Sequence, residues 1–195
     1  MYDPTEHEVT LLLRQIADGD TSASERLLPL IYDELRDRAR RAMGSESGLT
    51  LQPTALVHEA WLKIAHADDQ DYSSRNHFVS VAAKAMRQIL VDRARARATE
   101  KRGGEPASRG ARVTMSGVAG DGEAEGRALD VLDLQEALVT LEADHPRPAR
   151  VAELKFFGGL EMAEIAAVLG ASERTVYTDW RLAKAWLRRS LEGTS

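Results

Sequence analysis

Ser172, Arg174, Thr175, Tyr177, Thr178 and Arg181 crowd one short run near the C-terminal end of the chain. Two guanidinium groups, three aliphatic hydroxyls and a phenol can donate to and accept from base edges and phosphates, which is the chemistry of reading a DNA groove. Val176 and Trp180 fall between them at helical spacing, so a helix would turn those two inward and leave the polar set outside. A well-formed bidentate Arg–guanine pair in such a helix contributes roughly 1–3 kcal/mol of discrimination. Asp179 breaks the basic run; it either accepts from a cytosine or pairs with a nearby arginine, and the pairing is the reading preferred here.

A second cationic stretch runs from Lys84 to Arg102, where Lys84, Arg87, Arg93, Arg95, Arg97, Lys101 and Arg102 face only Asp92 and Glu100. Lys84, Arg87 and Gln88 are neighbours on a helix surface and can follow one phosphate backbone together. Just ahead, the polar loop Tyr72 to His77 offers Asn76 and His77, which could touch an unstacked base or cap the following helix. Tyr72 and Phe78 are the candidates for base stacking, with Phe78 better placed for a core.

Catalytic constellations are missing by comparison. His58-Glu59 lacks the second histidine of a zinc-protease helix, and Gly120, Gly122 and Gly126 miss the dinucleotide-binding spacing. The 5 histidines show no metal-ligand spacing, and with no cysteine the chain has no disulfide, iron–sulfur or thiolate-zinc chemistry. No cofactor and no metal are expected, and the chain reads as a non-enzyme.

The elements that must position these groups are almost all helical. Gly170 suits the left-handed end of a helix carrying Ile165, Ala166 and Leu169, and Ser172 suits the cap of the next, giving a helix-turn-helix over residues 160–191. Upstream, Val9, Leu12, Leu13 and Ile16 form one apolar face, and Asp18-Gly19-Asp20 ends it. Ser22 with Glu25 reads as a capping box for a helix toward Met43, in which Pro29 predicts a kink or a restart. Pro53 opens a third helix through Leu56, Val57, Ala60, Trp61 and Ile64, and a long fourth runs from about His77 to Arg102. Its inward side is read as Phe78, Val81, Ala82, Ala85, Ile89 and Leu90. Glycine, alanine and serine dominate Gly103 to Gly126, the signature of a tether. Helical periodicity then returns through Leu134, Leu138 and Leu141, and again from Arg150 to Phe157.

The expected fold is therefore all-α: two small helical domains, residues 1–102 and 129–195, joined by a flexible linker over 103–128. A chain of 195 residues with no apolar run near membrane-spanning length and no N-terminal signal pattern is expected to be soluble and cytoplasmic. A free-standing DNA binder usually carries a basic surplus, yet the net charge is −5. Two basic patches on an acidic body suggest that a larger partner supplies the nonspecific attraction.

Taken together, these pieces resemble the extracytoplasmic-function group of the sigma-70 family, the dissociable promoter-recognition subunits of bacterial RNA polymerase. Ala55-Leu56-Val57-His58-Glu59-Ala60-Trp61-Leu62-Lys63-Ile64 is similar to the family's polymerase-binding helix, Asn76 to Arg95 to its promoter-melting helix, and Val151 to Leu191 to its C-terminal DNA-binding domain. The resemblance implies docking of core RNA polymerase through Thr54, Ala55, His58, Glu59 and Leu62 on the β′ clamp helices, with a second contact to the β flap. It implies minus-10 recognition by Asn76, His77, Lys84, Arg87, Gln88 and Arg93, and minus-35 recognition by Ser172, Arg174, Thr175, Tyr177, Thr178 and Arg181.

Many family members carry an acidic cluster where this chain has Leu51-Gln52-Pro53-Thr54-Ala55. Phosphorylation of Thr54, with Thr50 as the second candidate, would restore about −1.5 to −2 charges at a helix N-terminus. Control by a Ser/Thr kinase, or by an anti-sigma factor as is usual in the family, follows as an expectation. The competing interpretations are a Thr54 that only caps its helix and a stand-alone helix-turn-helix repressor that binds DNA without polymerase.

Overall fold

The structure, a computed structural model, describes residues 4–43, 51–65, 72, 74–100, 112–114 and 128–192. Among these residues the order is α1 (Pro4–Ala17), α2 (Thr21–Met43), α3 (Pro53–Ala65), α4 (Arg75–Glu100), β1 (Arg112–Thr114), β2 (Ala128–Asp130), α5 (Val131–Asp144), α6 (Pro146–Phe156), α7 (Met162–Leu169) and α8 (Glu173–Glu192). The architecture is all-α apart from the short antiparallel pair, in which Val113 sits opposite Leu129.

Local chemistry starts each helix. Pro53 occupies the first position of α3, where its missing N–H costs nothing. At α5 the Asp130 carboxylate accepts from the Leu132 N–H at 2.8 Å. The cap of α2 is Asp20 rather than the expected Ser22: Asp20 Oδ1 accepts from Ser22 N at 2.9 Å and from Ser22 Oγ at 2.7 Å. An acceptor one residue outside the helix reaches the second N–H, whereas Ser22 is already inside it. The helix also runs through Pro29 without restarting.

The Ser22 hydroxyl holds the Asp20 carboxyl below the usual aspartate value of 3.8. Because the folded value is depressed, the cap contributes fully above the ordinary aspartate range and is lost as pH falls through the folded value. An NMR titration should show the Asp20 carboxyl ionising below an unfolded reference, with Ser22 amide exchange accelerating at the same midpoint.

Helices α1–α4 bury Val9, Leu12, Leu13, Leu27, Ile31, Leu56, Phe78 and Leu90, while α5–α8 bury Leu134, Leu138, Leu141, Val151, Ile165, Val176 and Leu187. These side chains belong to one continuous apolar cluster, because α4 also touches α5, α6 and α7. Val81 and Ala85 are only half-buried, and Val79, Ala83 and Met86 are nearly fully covered instead. A helix covered from two directions buries two stripes, which a single-face reading of its periodicity misses.

Two arginines, Arg38 buried and Arg87 half-buried, cross between these sets of helices. Arg38 of α2, 6% exposed, donates to the Gly158 carbonyl at 2.6 Å and lies 3.4 Å from Glu164. Its own-helix partner Glu34, at 2.5 Å, is shared with Arg75 at 2.7 Å. Arg87 of α4 donates to Gln135 and to Glu153, each at 2.9 Å. A Cβ at Gly158 would sit 2.6 Å from the Leu154 carbonyl oxygen of its own set and 3.2 Å from the Ala83 Cβ across the boundary.

Most of the 103–128 tether lies outside the described residues. Within it, residues 112–114 form β1 and Ala128 begins β2, so these positions are paired backbone rather than free linker. β1 also lies against α2.

Candidate nucleic-acid interface

Helix α7, the turn Gly170 to Ser172 and helix α8 form the C-terminal candidate site. Gly170 adopts φ 60° and ψ 32°, the left-handed conformation that ends α7. Ser172 Oγ accepts from the Thr175 N–H at 3.2 Å and lies 2.8 Å from the Thr175 hydroxyl, so it caps α8 as the sequence suggests. Val176, Trp180, Ala183 and Leu187 are buried on the inner face, with Trp180 against Phe156 at 5.2 Å between ring centroids. Lys184 Nζ lies 5.6 Å above the Trp180 ring.

On the outer face, Arg174, Tyr177, Thr178 and Arg181 are exposed and Thr175 is half-buried. Tyr177, 53% exposed, is a large aromatic held in solvent, which suits a groove contact. The Thr178 hydroxyl donates to the Arg174 carbonyl at 3.0 Å, which leaves its oxygen as an acceptor. Asp179 is buried and accepts twice from Arg147 of α6, at 2.5 and 3.2 Å. It therefore points away from the outer face, and the hydrogen bond from Arg147 pushes the guanidinium pKa up. Of the readings open for Asp179, the arginine pair is the one found.

Helix α3 presents the second surface. Leu56, Val57, Ala60 and Ile64 are buried. Thr54, His58 and Leu62 are exposed at a spacing of four residues on one face, Leu62 at 56%. Ala55 and Glu59 flank them half-buried. His58 lies against Tyr32 of α2 at 5.7 Å. Trp61 is half-buried, packed on Phe78 at 6.1 Å between centroids. Thr54 is the second residue of α3, inside its first turn, so it does not cap the helix.

The third surface is the solvent edge of α4. Lys84 and Gln88 are exposed. Arg87 and Arg93 are not free cations: Arg87 is held by Gln135 and Glu153, and Arg93 forms an ion pair with Glu59 of α3. Asn76 and His77 belong to the first turn of α4 rather than to a loop, because Ser74 caps the helix by accepting from the His77 N–H at 3.1 Å. Both are half-buried. Tyr72, 4% exposed, packs edge-on against Phe78 at 5.2 Å, so both candidate stacking rings are core residues.

Sequence reasoning missed Arg38 and Glu153, whose partners lie far away along the chain, and it left Arg147 unassigned. Among the described residues no group of three or more His, Asp or Glu side chains is placed to hold a metal ion. No described helix is long and apolar enough to cross a membrane.

The structure of CnrH in complex with the cytosolic domain of CnrY is similar over 96% of this chain and 99% of that chain, at 22% identity and a TM-score of 0.43. No curated protein matches the chain. The family model described as ECF sigma factor matches residues 6–193, from α1 through the end of α8. The chain belongs to the ECF sigma factor family.

Proposed function

We propose that the chain binds core RNA polymerase and directs initiation at promoters carrying two separated upstream elements, acting in the cytoplasm. The observation that carries this reading is the family match across residues 6–193, which takes in all three candidate surfaces at once. In this reading the exposed Thr54, His58 and Leu62 face of α3 docks on the β′ clamp helices, and the C-terminal helices meet the β flap. Lys84, Arg87, Gln88 and Arg93 follow the melted minus-10 strand, with Asn76 and His77 at its upstream end. Ser172 orients α8 while Arg174, Thr175, Tyr177, Thr178 and Arg181 read the minus-35 element.

Transcription in vitro with core polymerase and genomic DNA, followed by mapping of start sites, tests it. A defined set of starts sharing two spaced upstream elements is the expected result. Operator binding by the isolated chain without polymerase association would favour a repressor instead.

Regulation by phosphorylation of Thr54 is the finer part of this proposal. The first turn of α3 contains no acidic residue, and Thr54 is exposed there. A phosphoryl group would sit on the positive end of the helix and could make charge-assisted contacts to a basic polymerase surface. Thr50, the second candidate, lies outside the described residues. Losing one such contact lowers output about tenfold, so a Thr54→Ala reporter strain should fall by at least that factor under inducing conditions while Thr54→Glu recovers part of it. Wild-type output from Thr54→Ala would remove phosphorylation of Thr54 as the switch.

A further inference from the structure

The turn that joins α5 to α6 holds α8 at two points. His145 lies edge-on against Trp186, with 5.7 Å between ring centroids. A little further on, Arg147 donates through Nε and Nη2 to the two oxygens of Asp179, at 2.5 and 3.2 Å. Asp179 and Trp186 are two helical turns apart, so both contacts fall on the same flank of α8. Arg147 stands between Pro146 and Pro148 in the first turn of α6, where the two rings fix the backbone on either side of it. Asp179 is 6% exposed and the Arg147 side chain 57%, so the carboxylate is the inner member and the guanidinium reaches it from the rim.

The apolar stripe of Val176, Trp180, Ala183 and Leu187 decides which side of α8 turns inward, but apolar contact has no direction of its own. Two parallel N–H···O bonds do: they fix the plane of the carboxylate, and with it the finer angle of the helix. Side-chain tips stand about 5–6 Å from a helix axis, so a rotation of about 10° carries them about 1 Å. Recognition groups work only when held to about 0.5 Å. Asp179 is next to Thr178 and lies between Arg174 and Arg181 in the sequence, so an error at the pair passes straight to all three.

We propose that Arg147 is a positioning residue for promoter recognition: through Asp179 it sets the angle at which Arg174, Thr178 and Arg181 meet the minus-35 element, without itself reading a base. The pair also cancels the one negative charge between Arg174 and Arg181, so a carboxylate is carried in the reading helix without repelling phosphates. This inference rests on the sigma reading above.

The test uses the full chain with core polymerase on a promoter found by start-site mapping, and on versions of that promoter with single substitutions in each upstream element. Discrimination is the initiation rate on the parent promoter divided by the rate on a substituted one. Arg147→Gln alone strands a buried carboxylate and should lower the melting temperature. Adding Asp179→Asn removes both charges and should recover most of that loss, leaving two amides without the bidentate geometry. In this double variant, discrimination at one or more minus-35 positions should fall about tenfold, within the range of one bidentate base contact. Discrimination at the minus-10 positions should stay as in wild type. Arg147→Lys keeps the charge but cannot offer two parallel donors, so it should show the same selective loss while melting like wild type.

Unchanged minus-35 discrimination in both variants would overturn the inference and leave the sigma reading intact. So would an equal fall on every template, which would make Arg147 a phosphate contact or a stabilising pair only. A wild-type chain that initiates nowhere with core polymerase would sink the sigma reading and the inference with it.

Discussion

Trp180→Ala will destabilise the C-terminal helices by about 3–5 kcal/mol, the usual cost of truncating a large buried aromatic. Trp180 is 6% exposed, its ring lies 5.2 Å from that of Phe156, and Lys184 covers it from above. It fixes the rotation of α8 about its own axis, and with that rotation gone the outer residues no longer face one groove. Thermal unfolding should therefore shift down, and binding to a minus-35 duplex in the polymerase complex should fall with it.

Arg181→Ala, the very next residue, should separate those two effects. Arg181 is exposed, and a surface truncation changes stability by about 0.5 kcal/mol or less. If its guanidinium reads a guanine, promoter-directed initiation drops by a factor corresponding to about 1–3 kcal/mol, roughly five- to 150-fold, with the melting curve unmoved. Equal losses of stability in the two variants would mean that α8 is only a core helix.

How far such roles could be read from the residues depended on how many faces each helix buries. α3 was legible almost completely: Pro53 begins it, and Leu56, Val57, Ala60 and Ile64 are the residues it buries. One apolar stripe, set between α2 and α4, leaves a clean helical period in the sequence. α4 was legible only in part, because Val79, Ala83 and Met86 form a second covered stripe and small residues carry little periodic signal. The start of α4 was misplaced for a related reason. Ser74 is one of several polar residues in a row, and only the geometry shows that its hydroxyl takes the His77 N–H. Polar side chains whose partners lie far off in sequence were the least legible. Arg38 and Glu153 look like ordinary solvated charges until the fold brings Gly158 and Arg87 to them. Asp179 was easier: a carboxylate inside a basic helix invites an arginine, although Arg147 on α6 could not be named in advance.

The same sharing of α4 sets the consequence of Phe78→Ala. Phe78 is 1% exposed near the start of α4, edge-on to Tyr72 and 6.1 Å from Trp61 of α3, so its removal should also cost about 3–5 kcal/mol. The two aromatic truncations should nevertheless differ in reach. Trp180 lies among helices that only rest on α4, and its loss should raise hydrogen exchange in α6–α8 while α1–α3 stay protected. Phe78 anchors the helix on which both sets of helices depend, so its loss should raise exchange in α1–α4 and release the α5–α7 amides that docking protects. If exchange in α5–α7 were untouched by Phe78→Ala, the burial of Ala83, Arg38 and Glu153 across that boundary would contribute nothing to holding the chain together. Spreading of the effect from α4 to α5–α7 is the expected outcome, because a continuous apolar cluster and the Arg87–Glu153 contact join them, with Arg38 of α2 bonded to Gly158 beside it.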